Sequence, residues 1–513
     1  MPTDLSRARI KPYAHQVVGV EALVETVDHR VGRVFPNAFA LFDEMGAGKT
    51  KQVIDAVCAL FLQRQINRVL VIAPASVRSV WWDPELGEIS KHTWLGIPIR
   101  VTEYHAKKKT WTRDIDPATA FKEKFGMLEW VITNYDFVRR LARREQLDPF
   151  CTPTTMLVLD ESAAVKNHRA EQTKACWHFR QQCGRVVLLN GTPIANNPLD
   201  LYSQARLMHP GILGCQSFFH FRSRYALMGG FQQKQVIGWQ NLEDLQKRLA
   251  PYVLRRLKTD CLDLPAKLPP TALVATLSDE TWGLYKEMRD EFIAWLDNAT
   301  LSTAPQAGVK ALRLSQLVNG FIGGVRSEHA SEVVDPVRTV GREKLDLFLE
   351  WYAERLENEP KLKLLLWCRF RPELARVFSE LQQRFPHVSL GKIWGGQVPE
   401  ERDQALRLLD PRTSPDAPVV VVGTPSSGAL GLNLSAAHDV VYLSNDYSLK
   451  TRLQSEDRVH RPGQVSPVSY FDVVAVGPQG QRTIDHLIIK ALRSKNDVAT
   501  WTTAAWKQAL KEE

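Results

Sequence analysis

Residues Asp43–Thr50 read DEMGAGKT, with the apolar FALF (Phe39–Phe42) before them and KQVIDAVCALFL (Lys51–Leu62) after. An apolar run, a glycine-rich turn and then 3.6-residue periodicity predict strand, loop and helix in that order. Such a loop points backbone N–H groups and a helix N-terminus at an anion, which is the arrangement that holds phosphate. Gly46 and Gly48 would line the loop, Lys49 would reach the β- and γ-phosphates of ATP, and Thr50 would place its hydroxyl on Mg²⁺. Asp43 stands where loops of this kind usually carry their first glycine.

A second stretch supplies the chemistry that a phosphate loop lacks. Leu157–Glu161 reads LVLDE, two carboxylates at the end of an apolar run with strand character. In an open α/β sheet that edge is where ligand groups are presented. In a nucleotide hydrolase Asp160 would hold Mg²⁺, and Glu161 would orient and polarise the attacking water.

The same strand-then-helix alternation recurs along the chain. Strands are expected at Arg68–Ala73, Trp130–Thr133, Met156–Leu159 and Val186–Leu189, and a later set at Lys363–Cys368, Pro418–Val422, Asp439–Leu443 and Val468–Val474. Each is rich in Val, Leu or Ile on both faces, as strands buried between two helix layers are. The fold class is therefore α/β, with two parallel sheets. Between the sets lie a basic LRRLK (Leu254–Lys258), a proline-punctuated DLPAKLPP (Asp263–Pro270) that no regular helix tolerates, and helical patterns over Glu280–Leu296 and Lys310–Phe321. The expected organisation is a first lobe over 1–206, a small protrusion and linker over 207–275, a helical protrusion over 276–341, a second lobe over 342–499 and a terminal helix over 500–513.

Composition bounds the function classes. The 513 residues carry 66 Lys plus Arg against 57 Asp plus Glu, a formal charge of +9, with 44% hydrophobic residues. That is an ordinary folded composition with a mild basic excess, which excludes general disorder and fibrous architectures. No apolar stretch approaches the ~20 residues that a spanning helix needs, and MPTDLSRARIKPYAHQ lacks a signal peptide's apolar region, so no membrane and no secretion are expected. Basic clusters at Lys107–Lys109 with Trp111 and Arg113, at Arg139, Arg140, Arg143 and Arg144, and at Arg255, Arg256 and Lys258 suit phosphate contacts with nucleic acid.

Taken in order, the motifs resemble the Swi/Snf-like branch of superfamily-two helicases, ATP-driven motors on double-stranded DNA. The series opens with PYAHQVVG (Pro12–Gly19), in which Gln16 is similar to the family's adenine-reading glutamine. DEMGAGKT departs from the family loop only at Ala47. VLVIAPASVRSVW (Val69–Trp81) and TNYDF (Thr133–Phe137) resemble its strand-contacting motifs, and LNGTPIANN (Leu189–Asn197) its coupling motif. VLRRLKTDCLDLPAK (Val253–Lys267), TLSDETWGLY (Thr276–Tyr285), GALGLNLSAAHDVVYL (Gly428–Leu443) and QSEDRVHRPGQ (Gln454–Gln464) continue it.

The resemblance implies two RecA-like lobes with helical protrusions, ATP and Mg²⁺ as ligands, and a site completed by Gly431, Arg458 and Arg461, with Arg461 as the arginine finger. It implies nucleic-acid contacts from Ser76, Asn134, Arg255, Arg256 and Gly428. It also implies a monomeric motor on duplex DNA without accessory modules, acting in the cytoplasm or nucleoid of a bacterial or virus-infected cell, or in a nucleus. Two other outputs stay open: a helicase separating DNA or RNA strands, and a nucleotide-gated loading factor for a partner enzyme. Three positions depart from the family. Ala163 replaces a histidine that would bond to the coupling motif, Ser426 stands at a frequent arginine, and Ala429 replaces a glycine.

Overall fold

The computed structural model describes residues 3–25, 35, 37–75, 77–83, 87–104, 111–115, 123, 125–191, 198–229, 235–298, 304–323, 336–395, 397–425 and 433–494. The chain divides into two compact units between Asp263 and Leu264.

The first unit is built on β1 (Ala38–Leu41), β2 (Arg68–Ala73), β3 (Ile99–Glu103), β4 (Trp111–Ile115), β5 (Leu128–Asn134), β6 (Thr155–Leu159) and β7 (Arg185–Leu189). After the hairpin β8 (Ala226–Gly229) and β9 (Gln235–Trp239), the two-residue β10 (Val253–Leu254) returns to the same sheet. The strand order is β10-β1-β7-β6-β2-β5-β3-β4, parallel at every pairing except β3 with β4. Every position of β1, β6 and β7 is buried, because one apolar core lies on each face of the sheet. The helix Lys49–Leu62 is buried from Lys51 to Phe61, which is why its sequence is apolar nearly all round. Parallel pairing brings the carboxyl ends of β1, β2, β5, β6 and β7 to one edge, so the loops carrying Lys49, Asn134 and Asp160 leave from the same side.

The second unit holds β11 (Thr271–Thr276), the short ribbon β12 (Phe321–Ile322) with β13 (Arg338–Thr339), and then β14 (Lys363–Trp367), β15 (Ser389–Ile393), β16 (Val419–Gly423), β17 (Asp439–Tyr442) and β18 (Ser469–Val476). Its six-stranded sheet runs β11-β18-β17-β14-β16-β15, parallel throughout. Two apolar clusters cover its faces, one of them packed under the helices Glu343–Asn358 and Arg371–Arg384. The architecture is α/β with two RecA-like parallel-sheet lobes.

The eight expected strands are all present, with ends shifted by no more than two residues. The helical patterns of the middle region appear as Asp279–Asn298 and Ala304–Val318. Segment 207–275 is more than protrusion and linker, since it gives β10 to the first sheet and β11 to the second. The expected terminal helix over 500–513 lies outside the described residues, as do Ser76, Gly428, Gly431, Ser426, Ala429 and Lys107–Lys109. Among the described residues no helix is long and apolar enough to cross a membrane.

Candidate nucleotide site

The chain leaves β1 at Leu41 and turns through the phosphate loop into the helix that starts at Lys49. Gly46 (φ 82°) and Gly48 (φ 78°) both take left-handed backbone, a conformation that costs glycine little and other residues more. At Gly48 a Cβ would also stand 2.2 Å from Gln16 Nε2. Gln16 is buried against the loop, donating to the Ala47 carbonyl at 3.4 Å and accepting from the Tyr13 N–H at 3.0 Å. His15 adds a ring nitrogen 2.9 Å from the same carbonyl.

Lys49 folds back over the loop. Its Nζ donates to the carbonyls of Asp43 at 2.8 Å and Glu44 at 3.1 Å. Burial pulls its ammonium below the ordinary lysine range, and the charges of Asp43, Glu161 and Asp160 oppose that pull. Both carboxylates of LVLDE therefore act on the lysine of the loop.

Asp160 continues directly from β6 and is locked on four sides. Its N–H donates to the Ile72 carbonyl at 2.9 Å, its carbonyl accepts from the Tyr135 hydroxyl at 2.7 Å, Oδ2 accepts from Trp81 Nε1 at 2.8 Å, and Oδ1 accepts from the Glu161 N–H at 2.9 Å. Burial raises the Asp160 carboxyl, Glu161 raises it further, and the Trp81 bond and Lys49 lower it in part, leaving it at about 6. Glu161 follows in left-handed backbone at φ 52°, a turn that a non-glycine residue holds only at some cost. A buried carboxylate already resisting its charge, with a second carboxylate adjacent and the Thr50 hydroxyl at the helix start, is an all-oxygen donor set that fits a hard divalent cation.

Four residues expected at nucleic acid make contacts within the first unit. Arg255 donates to the carbonyls of Phe42 and, at 2.7 Å, Gly191. Arg256 holds Asp43 through both carboxylate oxygens and also reaches the His15 carbonyl and, at 2.9 Å, Gln52 Oε1. Asp43 is fully buried, and a buried carboxylate demands such a partner, so these guanidinium groups turn inward instead of facing a phosphate backbone. Lys258 is buried too, and its N–H donates to Glu44 Oε2 at 2.8 Å. The backbone of the same segment completes the attachment, with Phe42 N–H donating to Leu254 O at 2.8 Å and Glu44 N–H to Arg256 O at 2.9 Å. Asn134 is the N-cap of the short helix Tyr135–Val138, accepting from the Phe137 N–H at 2.7 Å, the ordinary use of asparagine at a helix start. Arg139 and Arg140 remain exposed, Arg139 within 3.3 Å of Asp136.

In the second unit Arg458 and Arg461 lie in the turn after the helix Leu449–Glu456. The Arg458 carbonyl accepts from Leu434 N–H at 2.9 Å, and the Arg461 carbonyl accepts from Gln464 N–H at 3.0 Å. What holds this turn was not legible as a motif. Arg452 bonds Glu456, Asn445 and Asp472 and stacks over the Tyr442 ring, while Lys267 reaches Glu456 Oε2 at 2.6 Å. His460 Nε2 donates to the Pro265 carbonyl at 2.9 Å. Burial alone would raise the Glu456 carboxyl, but Lys267 and Arg452 outweigh it and hold it down to about 2.

Reading the sequence also missed Trp81 as a partner of Asp160, and the buried pair in which Ser162 Oγ donates to Gln204 Oε1 at 2.7 Å. Each links residues about 40 or more positions apart, and neither tryptophan nor serine advertises its partner in sequence. Ala163 is buried in the 3-10 turn Ser162–Val165, immediately beside that pair.

The SNF2-related domain matches residues 15–320, and the helicase conserved C-terminal domain matches residues 343–463. The chain is 24% identical to the TATA-binding protein-associated factor MOT1 of Saccharomyces cerevisiae, over 90% of this chain and 26% of that protein. It is 23% identical to the SNF2 domain-containing protein ENL1 of Oryza sativa subsp. japonica, over 88% of this chain and 48% of that protein. With the uncharacterized ATP-dependent helicase MG018 of Mycoplasma genitalium it shares 23% identity over 95% of this chain and 42% of that protein. The chain thus spans between about a quarter and about a half of the length of these relatives. Among solved structures, the Sulfolobus solfataricus SWI2/SNF2 ATPase core in complex with dsDNA aligns at 21% identity and TM-score 0.40, covering 100% of this chain and 97% of that one.

Proposed function

Because the chain belongs to the SNF2-related family, we propose that it is a nucleic-acid-dependent ATPase and a translocase on double-stranded DNA, moving along the duplex without separating its strands. The observation that carries this reading is the convergence of the DEMGAGKT loop with Asp160 and Glu161, whose charges act on Lys49. Gln16 reads the adenine face, the N–H groups from Gly46 to Thr50 surround the phosphates, and Lys49 exchanges the carbonyls of Asp43 and Glu44 for β- and γ-phosphate oxygens. Thr50 and Asp160 would hold Mg²⁺, which when bound would neutralise phosphate charge. Glu161 orients the attacking water and takes up its proton. Arg461, assisted by Arg458, offsets the charge that develops on the γ-phosphate.

ATP favours one conformational state of the motor and its hydrolysis the other, so alternation between them advances the protein on the backbone it grips. Ala163 removes the family histidine from the coupling path and leaves the two carboxylates in place. ATP turnover is expected to rise when duplex DNA is added, and to fall by about a thousandfold in Lys49→Ala and Arg461→Ala proteins. Displacement of a triplex-forming strand from an intact duplex measures movement directly. Separation of duplex strands without triplex removal would establish a helicase in its place, and ATP-dependent binding without turnover would establish a loading factor. The charge and the site are compatible with action wherever duplex DNA is present, in a nucleoid or in a nucleus.

A further inference from the structure

The first unit carries an open cavity of about 830 Å³, bounded by the loop Lys166–Arg169, by Leu199–Arg206 and by Gln216–Arg222. Its lining includes four cationic side chains, Lys166, Arg169, Arg206 and Arg222, against one carboxylate, Asp200. Asp200 is mostly buried, with its Oδ2 3.8 Å from Lys166 Nζ, and a single carboxylate against four cations leaves the lining a positive excess. The excess is felt inside the cavity: burial, Arg169 and Arg206 all hold His168 below the usual histidine range. Phe219 is 67% exposed at the rim with Arg222 over its ring, and His168 stacks on Phe218 at 4.5 Å. Arginines beside an open aromatic face are the chemistry that takes a phosphate and the base attached to it. The lining is helix and loop with no free strand edge, so nothing here pairs with an extended peptide backbone.

The floor of the cavity is joined to the hydrolytic turn. Gln204 Nε2 donates to the Asp200 carbonyl at 2.9 Å, and Gln204 Oε1 accepts from Ser162 Oγ at 2.7 Å. Ser162 and Gln204 are both completely buried, and Ser162 directly follows Glu161. A buried polar pair of this kind fixes geometry, because either partner alone would be costly to leave unsatisfied.

We propose that this cavity takes the phosphodiester backbone of a nucleic-acid strand, and that Asp200, Gln204 and Ser162 transmit its occupancy to Glu161. Ser162 and Gln204 are positioning residues, and they occupy the route that Ala163 cannot serve. The inference rests on the nucleic-acid-stimulated ATPase reading and adds to it where the strand is held.

The test uses the full chain, a labelled oligothymidylate, a blunt duplex and a polyglutamate competitor. Arg169→Glu with Arg222→Glu, the first exposed and the second half-buried, is expected to weaken oligonucleotide binding at least tenfold and to reduce the salt slope of the affinity by about two. Phe219→Ala distinguishes the source of the strand: a loss of about tenfold for oligothymidylate alone marks a single strand, and an effect on neither probe after a charge-reversal effect on both marks the duplex backbone. Gln204→Leu is expected to lower the ratio of stimulated to unstimulated turnover about fivefold through kcat rather than through the KM for ATP, and Ser162→Thr, which keeps the hydroxyl, to retain the ratio where Ser162→Ala loses it. Unchanged binding and salt slope after charge reversal would overturn the site, as would displacement of the oligonucleotide by polyglutamate at equal charge. If Lys49→Ala left stimulated turnover intact, the ATPase reading itself would fail, which is a separate result.

Discussion

Asp43 shows why a glycine is dispensable at the head of this phosphate loop. Its carboxylate sits at zero exposure with Arg256 on both oxygens and Gln52 Nε2 at 3.3 Å. Removing one partner of a buried pair leaves an uncompensated charge, at a cost of about 3 kcal/mol. Arg256→Ala is accordingly expected to lower stability by about that amount in urea unfolding and to raise the KM for ATP, and the Asp43→Ala/Arg256→Ala double variant to recover part of the stability. A double-mutant cycle on these two positions measures the coupling directly. The same pair explains where the sequence misleads. Arg255 and Arg256 look like a solvated basic patch because nothing nearby in sequence neutralises them, and the partner stands more than two hundred positions earlier.

At the scale of elements, what was legible depended on burial. β2 was readable to the residue because all but its first position is buried, so the chain had to write it in Val, Leu and Ile. β10 has two residues and no period, and β11 exposes four of its six positions, so neither carries a pattern that composition reveals. The candidate loops are marked in the sequence by glycine, lysine and paired acids, whereas their supports, Trp81 and Ser162, had no signature of their own. The helix Leu449–Glu456 makes a further point about support. Glu456 is held down to about 2 from an ordinary value near 4.5, so its contribution is fully present above pH 4.5 and is lost as pH falls toward 2. A shift of this size corresponds to about 3 kcal/mol. Acid unfolding of the second unit is expected to flatten in a Glu456→Gln protein, which lacks the titration, with circular dichroism as the readout.

For the molecule as a whole, each unit has its own sheet and its own apolar clusters. Thermal unfolding is therefore expected to depart from a single two-state transition in calorimetry. If ADP with Mg²⁺ binds through the first unit's loop as proposed, it is expected to raise the transition of that unit by an amount corresponding to about 2.7 kcal/mol at a hundredfold excess over Kd. Lys49→Ala is expected to abolish the shift and Arg461→Ala to retain it, since the role proposed for Arg461 concerns a γ-phosphate that ADP lacks. Between Leu254 and Lys258 the chain nears the end of the first unit while bonded to Phe42, Asp43 and Glu44. A load pulling on the backbone at that exit bears first on the loop to which we assign the triphosphate, so on that assignment strain along the chain and grip on the fuel are mechanically one quantity.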